Sequence, residues 1–279
     1  MTEKILLAVL AHPDDETFGM GGTLAYYSQQ GVKTYLVCAT RGEVGEMDPK
    51  YMEGFNSIAE RREHELRCAA GNLGLTDVFF LDYRDSGMPG SPDNQHPQAL
   101  AAQPIDKVAE KVVGYIRQLK PQVVITFDPI GGYHHPDHIA IHNATVKAFY
   151  AAADPKQYPH GLPAWQADYL YFQTMPRAFI RFAVRLLKLI GKDPRHFGKN
   201  GDIDLAAIAE ENFPTHARID YRSVVDKRDE ASACHASQGG SRTGGGILGP
   251  VRKLIAMYEN FMQAYPVPKP GVIKRDLFV

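Results

Sequence analysis

The chain opens with a short apolar run, Ile5–Leu10, followed at once by a polar cluster, His12 to Glu16. This alternation recurs. Thr34–Ala39, Val78–Leu81 and Val123–Phe127 are further runs rich in β-branched and apolar residues, the pattern of strands buried on both faces of a parallel sheet. Between them the apolar positions take helical spacing: Thr17–Gln30, Ala59–Leu73 with Gly74 as a stop signal, and Ile105–Leu119 ended by Pro121. Pro136 suits a first helical position and opens a fourth helix that runs to about Ala153. The repeated strand–helix order predicts right-handed βαβ units. The expected fold is therefore α/β: a Rossmann-like, mostly parallel sheet flanked by helices.

A length of 279 residues suits a single α/β domain over 1–279, with an inserted or peripheral helical segment around 176–215. Within that segment, Phe179, Phe182, Ala183, Leu186 and Ile190 share one helical face, and Arg177, Arg181, Arg185, Lys188 and Lys192 share the other. This is the pattern of an amphipathic surface or lid helix that tunes substrate choice. Residues 239–246 are glycine-rich and read as a flexible loop that borders a pocket.

Composition narrows the partners. With 31 basic and 32 acidic residues the net charge is -1, so the whole-molecule field does not attract nucleic acid or acidic membranes. A small molecule is the expected partner; neither nucleic acid nor membrane contact is expected. Cys38, Cys68 and Cys234 are odd in number and widely spaced, which predicts reduced thiols rather than a disulfide framework. The apolar run near the start is too short for a signal-peptide core or a membrane span, so a cytoplasmic location is expected.

In open α/β sheets, ligands gather at the carboxyl ends of the strands. Four polar clusters follow the four expected strands: His12–Glu16, Thr40–Glu43, Arg84–Gly87 and Asp128–His138. They point to one edge. His12 and Asp15 can present an imidazole nitrogen and a carboxylate oxygen to one metal ion, and two histidines with one carboxylate form a common catalytic zinc arrangement. The third ligand is left open by spacing: His138 pairs with His142 at i,i+4, and His135 is also in reach. Asp14 and Asp15 should diverge, so that one holds the ion while the other faces its water. Helix N-terminal charge stabilisation explains Glu16 equally well, but not His12 or the second histidine cluster.

The segments Ala11-His12-Pro13-Asp14-Asp15-Glu16 and His135-Pro136-Asp137-His138 resemble the two motifs of the LmbE-like, or PIG-L, deacetylases. Smaller matches are Arg62-Glu63-His64-Glu65-Leu66, Arg84-Asp85-Ser86-Gly87-Met88 and His235-Ala236-Ser237-Gln238. The resemblance spans residues 5 to about 150 and weakens toward 238. It implies zinc-dependent removal of an acetyl group from an N-acetylglucosamine-type substrate, as in mycothiol and bacillithiol pathway deacetylases. Fe2+ is the alternative ion. It further implies His12, Asp15 and His138 as metal ligands, Asp14 as general base, and His135 as stabiliser of the tetrahedral intermediate with Asp137 orienting it. Tyr133 resembles a tyrosine that polarises the carbonyl or protonates the amine, while Arg62 and Asp85 resemble sugar contacts. Simple alternatives are an ion pair for Arg62 and a turn for Asp85. The family resemblance also implies a possible homo-oligomer.

Rival functions are an amidase acting on a thiol-sugar conjugate, a dinucleotide-binding protein suggested by Gly19-Met20-Gly21-Gly22, and a metal-binding scaffold without catalysis. The dinucleotide reading is weak, because carboxylates fill the turn where a pyrophosphate would sit. Those glycines more simply let the first helix pack closely on the sheet.

Overall fold

A computed structural model describes residues 3–159, 161–175, 177–196, 204–241 and 257–279, with the side chains at 177–179 left aside. The elements run β1 (Ile5–Leu10), α1 (Asp15–Gln29), β2 (Lys33–Cys38), α2 (Ile58–Leu73), β3 (Asp77–Phe80), α3 (Ile105–Leu119), β4 (Val123–Phe127) and a helical turn, α4 (Gly131–His134). They continue as α5 (Pro136–Ala152), β5 (Tyr169–Thr174), α6 (Arg177–Leu189), α7 (Leu205–Glu210), β6 (Ala217–Asp220), α8 (Val225–Cys234) and β7 (Tyr258–Tyr265).

The 7-stranded sheet has the order β3-β2-β1-β4-β5-β7-β6. Strands β3 to β5 are parallel, and β7 pairs antiparallel with both β5 and β6. The α/β expectation holds. Leu6–Leu10 of β1 and Val123–Ile125 of β4 have no exposed surface, which is why they read as unbroken apolar runs. Strand order reverses direction between β1 and β4. A crevice therefore opens beyond their carboxyl ends, where His12 and the Asp128–His138 loop lie.

Local chemistry sets the element ends. The Ser57 side chain caps α2 by accepting from Glu60 N, and Gly74 ends it in the left-handed conformation. Helix α1 breaks at Met20, where φ is -147°, and the Glu259 carboxylate on β7 accepts from the freed N–H groups of Gly22 and Thr23. A Cβ on Gly22 would lie 2.2 Å from the Tyr221 ring, so the glycine admits that ring and the end of β7.

Two expectations need correcting. Cys68 and Cys234 form a disulfide, and Cys38 alone is free and buried. Packing of α2 beside α8 brings their Cα atoms to 5.8 Å, a proximity that a sequence separation of 166 hides. Helix α6 also seats itself differently from its expected face. Ile180 and Val184 pack with Ile208 of α7 and with Tyr133, whereas Phe182 and Leu186 are 64% and 47% exposed. The apolar arc of α6 is wide, and the protein covers its Ile180 edge rather than its middle. Pro176 and residues 242–246 of the glycine-rich stretch lie outside the described residues. Among those described, no helix is long and apolar enough to cross a membrane.

Candidate metal centre and its surroundings

His12 stands two residues past the end of β1, and its N–H donates to Asp15 Oδ2 at 2.7 Å, closing the loop that starts α1. The two nitrogens of its buried ring face different groups. Nδ1 lies 3.2 Å from His138 Nε2 and 3.6 Å from Asp15 Oδ2. Nε2 lies 3.1 Å from Asp137 Oδ2 and 3.5 Å from Asp85 Oδ1. His138 projects from the first turn of α5, with its ring stacked on Phe127 and Nδ1 3.1 Å from Gly131 O. Gly131 permits this approach: φ is +62°, and a Cβ there would sit 2.7 Å from His138 Cβ.

These contacts set the tautomers. A carbonyl only accepts, so His138 Nδ1 carries the proton and Nε2 offers a lone pair. The Asp137 carboxylate likewise takes the His12 Nε2 proton and leaves Nδ1 free. The Asp15 carboxylate bridges the two rings, with Oδ1 3.3 Å from His138 Nε2 and Oδ2 3.6 Å from His12 Nδ1, and those two nitrogens are 3.2 Å apart. Four-coordinate zinc with bonds of about 2.0–2.1 Å needs ligand separations of roughly 3.3 Å. The donor set fits such an ion.

Two other groupings approach ligand spacing among the described residues: His12 with His135 and His138, and His12 with Asp85 and Asp137. Each is poorer on chemistry. His135 Nδ1 accepts from Asp137 N at 3.2 Å, so in the neutral ring the other nitrogen bears the hydrogen and has no lone pair for an ion. The second grouping would take the His12 nitrogen that already donates to Asp137. His142 stays out of the centre, bonded through Nδ1 to Phe127 O at 2.8 Å.

Asp14 diverges from Asp15. Its Oδ2 accepts from Arg62 Nη2 at 3.0 Å, and the same nitrogen donates to Pro13 O at 2.7 Å. Arg62 is only 4% exposed, and its Nη1 donates to Gly42 O, so it clamps two loops over Asp14 instead of pairing on the helix surface. A Cβ on Gly42, where φ is +66°, would lie 2.0 Å from that guanidinium. Burial pushes the Asp14 carboxyl up to about 6, against the opposing pull of Arg62. Burial would also lower His12, but Asp85, Asp137 and Asp15 outweigh it and raise the imidazole well above its ordinary range, so an ion that takes the Nδ1 lone pair displaces a proton from it.

His135 is pushed down to about 2 by burial and by its histidine neighbours, so its ring is neutral over the ordinary pH range. Tyr133 stands between the site and the α6–α7 cluster, its ring 5.8 Å from that of His135, and burial raises its phenol. Asp85 serves as a turn former and a site wall together: Oδ1 accepts from Gly87 N and Oδ2 from Val44 N. Asp137 departs from the expected arrangement. Its carboxylate turns to His12 and to the N–H and hydroxyl of Ser86, and only its backbone N–H reaches His135.

Two further residues enter the site from outside the expected set. Glu16 and His235 are fully buried, with His235 Nε2 2.7 Å from Glu16 Oε1, and Glu16 Oε2 accepts from Asp14 N. The motif His235-Ala236-Ser237-Gln238 was their visible signal. A cavity of about 790 Å³ opens above this group, lined by His12, Asp14, Arg62, Asp85, Tyr133 and His135 and also by Tyr51, Met88 and Gln238. Another of about 440 Å³ lies by Arg41 and Arg84, but their charges are matched by Glu63, Asp82 and Asp93.

Comparison with known proteins extends the geometry. The family model described as "PIG-L: GlcNAc-PI de-N-acetylase" matches residues 7–149. The 1D-myo-inositol 2-acetamido-2-deoxy-alpha-D-glucopyranoside deacetylase of Geodermatophilus obscurus is 36% identical over 84% of this chain and 82% of its own. Among solved structures, the N,N'-diacetylchitobiose deacetylase of Pyrococcus horikoshii aligns with a TM-score of 0.53 and 19% identity over 96% of this chain and 88% of that one. A 4-carboxy-2-hydroxymuconate hydratase of Pseudomonas putida KT2440 aligns at 0.62 and 20% identity, over 96% and 99%. The same fold thus carries more than one chemistry, and the family is decided by sequence similarity. On the family match and on identity across most of its length, this chain belongs to the PIG-L family of de-N-acetylases.

Proposed function

We propose that this chain is a metal-dependent N-deacetylase, with zinc as its ion, that hydrolyses the acetamido group of an N-acetylglucosamine-type small molecule. The carrying observation is that two imidazole lone pairs and the Asp15 carboxylate converge beside a cavity, while Asp14 faces that cavity unspent on the same ion. His12, Asp15 and His138 would hold the ion, which supplies charge for a developing oxyanion and lowers the pKa of water.

Each remaining step belongs to the chain. Asp14, whose carboxyl is raised to about 6, takes the proton of the attacking water and is held in aim by Arg62. Neutral His135 presents Nε2–H to the oxygen of the acetamido carbonyl as it gains charge, and Tyr133 provides a second donor from the α6–α7 side. The proton collected by Asp14 passes to the amine, and acetate leaves. Asp85, with backbone donors on both oxygens, keeps a free lone pair for a sugar hydroxyl.

The relative from Geodermatophilus obscurus supports a glucosaminide as substrate, and Tyr51 and Met88 in the same cavity wall offer apolar surface to what the sugar carries. The test is a panel of N-acetylglucosamine glycosides incubated with zinc-loaded protein and followed by amine release. Turnover of at least one glycoside is expected; no release from any amide would leave a metal-binding protein without this activity.

A further inference from the structure

The backbone of Asp14 sits at φ 124° and ψ -28°, a conformation that a non-glycine residue holds only under constraint. Its polar groups are each tied down. The carbonyl accepts from Thr17 N and Phe18 N as α1 begins, and the carboxylate meets Arg62. The N–H donates to Glu16 Oε2 at 3.0 Å. That last tie depends on a residue brought from the far end of the chain, because Glu16 is itself fixed by His235 Nε2 at 2.7 Å and by the hydroxyl of Thr17.

Neither Glu16 nor His235 lines the cavity, and both are fully buried. A buried carboxylate and imidazole are costly where an apolar pair would fill the same space. The cost is greater still because His235 Nδ1 has no hydrogen-bond partner among the described residues. A pair selected for stability alone has no reason to carry that orphan atom. It has a reason if the carboxylate must stand where the strained Asp14 N–H points.

We propose that Glu16 and His235 are positioning residues for the deacetylation. They form a buried carboxylate–imidazole strut that holds the Asp14 backbone in its left-handed conformation and so aims its carboxylate. The inference rests on the reading of Asp14 as proton acceptor. Without the Glu16 acceptor, the peptide before Asp14 is free to rotate toward a relaxed φ, which swings Cβ and the carboxylate away from the reacting water. Displacements of about 1 Å at such a group cost up to roughly 100-fold in rate. Metal binding should be spared, since His12, Asp15 and His138 are held by other contacts.

The test uses the full chain, metal-loaded, on a glycoside that the wild type hydrolyses. Glu16→Ala and His235→Ala are expected to lower kcat by about 10- to 100-fold, with KM within about twofold and one metal per chain retained. Their combination should cost no more than about threefold beyond the worse single variant, because both act through one N–H. His235→Gln can still donate to Glu16 and should recover most of the loss. If the alanine variants do not fold, Glu16→Met carries the test, since it fills similar space but has no oxygen to accept the Asp14 N–H; the same fall in kcat at full metal content is expected.

Wild-type kcat in these variants, a loss that tracks lost metal, or multiplicative single effects would overturn the inference. Asp14→Asn run in parallel separates the two layers. A silent wild type removes the functional reading and this inference with it. An active wild type and a dead Asp14→Asn beside a normal Glu16→Ala or Glu16→Met remove this inference alone.

Discussion

Asp137 Oδ2 lies 3.1 Å from His12 Nε2, and this one contact decides which nitrogen of His12 faces the other two donors. Ser86 supports it from behind, through its N–H and its hydroxyl, so the carboxylate cannot turn away. In the proposed centre the residue would therefore act on a metal ligand rather than on substrate. Its neighbour in sequence, His138, supplies a lone pair to the same place through the mirror device, a proton given to Gly131 O.

Removing the charge of Asp137 should accordingly weaken metal binding before it weakens chemistry. Asp137→Asn is expected to lower metal affinity by about 10- to 100-fold, as measured by competition with a chromogenic chelator. Saturating metal should restore much of kcat. An unchanged affinity would mean that His12 is oriented by something else.

Asp14 predicts a pH profile with a definite sign. Proton abstraction needs the carboxylate, so kcat/KM should fall as pH drops through about 6, the value to which burial raises this group; a bound cation moves the limb lower, not higher. Asp14→Asn should cost about 100- to 10,000-fold in kcat and leave metal content intact. Stability runs the other way. A raised folded-state pKa contributes stability at low pH that is lost as pH rises through about 6, so metal-free Asp14→Asn should melt no lower than wild type at pH 8. A lower melting temperature there would show that the ionised Asp14–Arg62 pair outweighs its burial.

Much of this arrangement was legible in the sequence because its physics is local. Buried parallel strands must be apolar throughout, so Ile5–Leu10 and Val123–Phe127 announce themselves, and loops at strand ends then collect the polar residues. The antiparallel strands β6 and β7 carried no such mark: Ala217–Asp220 and Tyr258–Tyr265 are mixed in polarity because the edge of the sheet is only partly covered. Long-range pairings were equally silent. Glu16 looked like a helix-start residue until His235 was placed against it, and three scattered cysteines gave no hint that α2 and α8 lie side by side. Which edge of α6 is covered depended on Ile208, a residue of another helix.

The Cys68–Cys234 bond ties α2, which carries Arg62, to the residue just before His235. Thiol titration of the denatured, unreduced protein should find one free thiol, that of Cys38. Cys234→Ser should lower stability by roughly 2–5 kcal/mol, read from denaturant midpoints without reductant. Three titratable thiols would contradict the pairing.

Deacetylation as proposed depends on a single bound ion working with an unligated Asp14. Amine release from an N-acetylglucosaminide, followed as chelator-stripped protein is titrated with zinc, measures this most directly. The predicted result is activity that is absent in the stripped protein and rises to a plateau at one ion per chain, with Asp14→Asn binding the same single ion and staying inactive. Full activity in the stripped protein, or a metal-loaded Asp14→Asn that matches wild type, would contradict it.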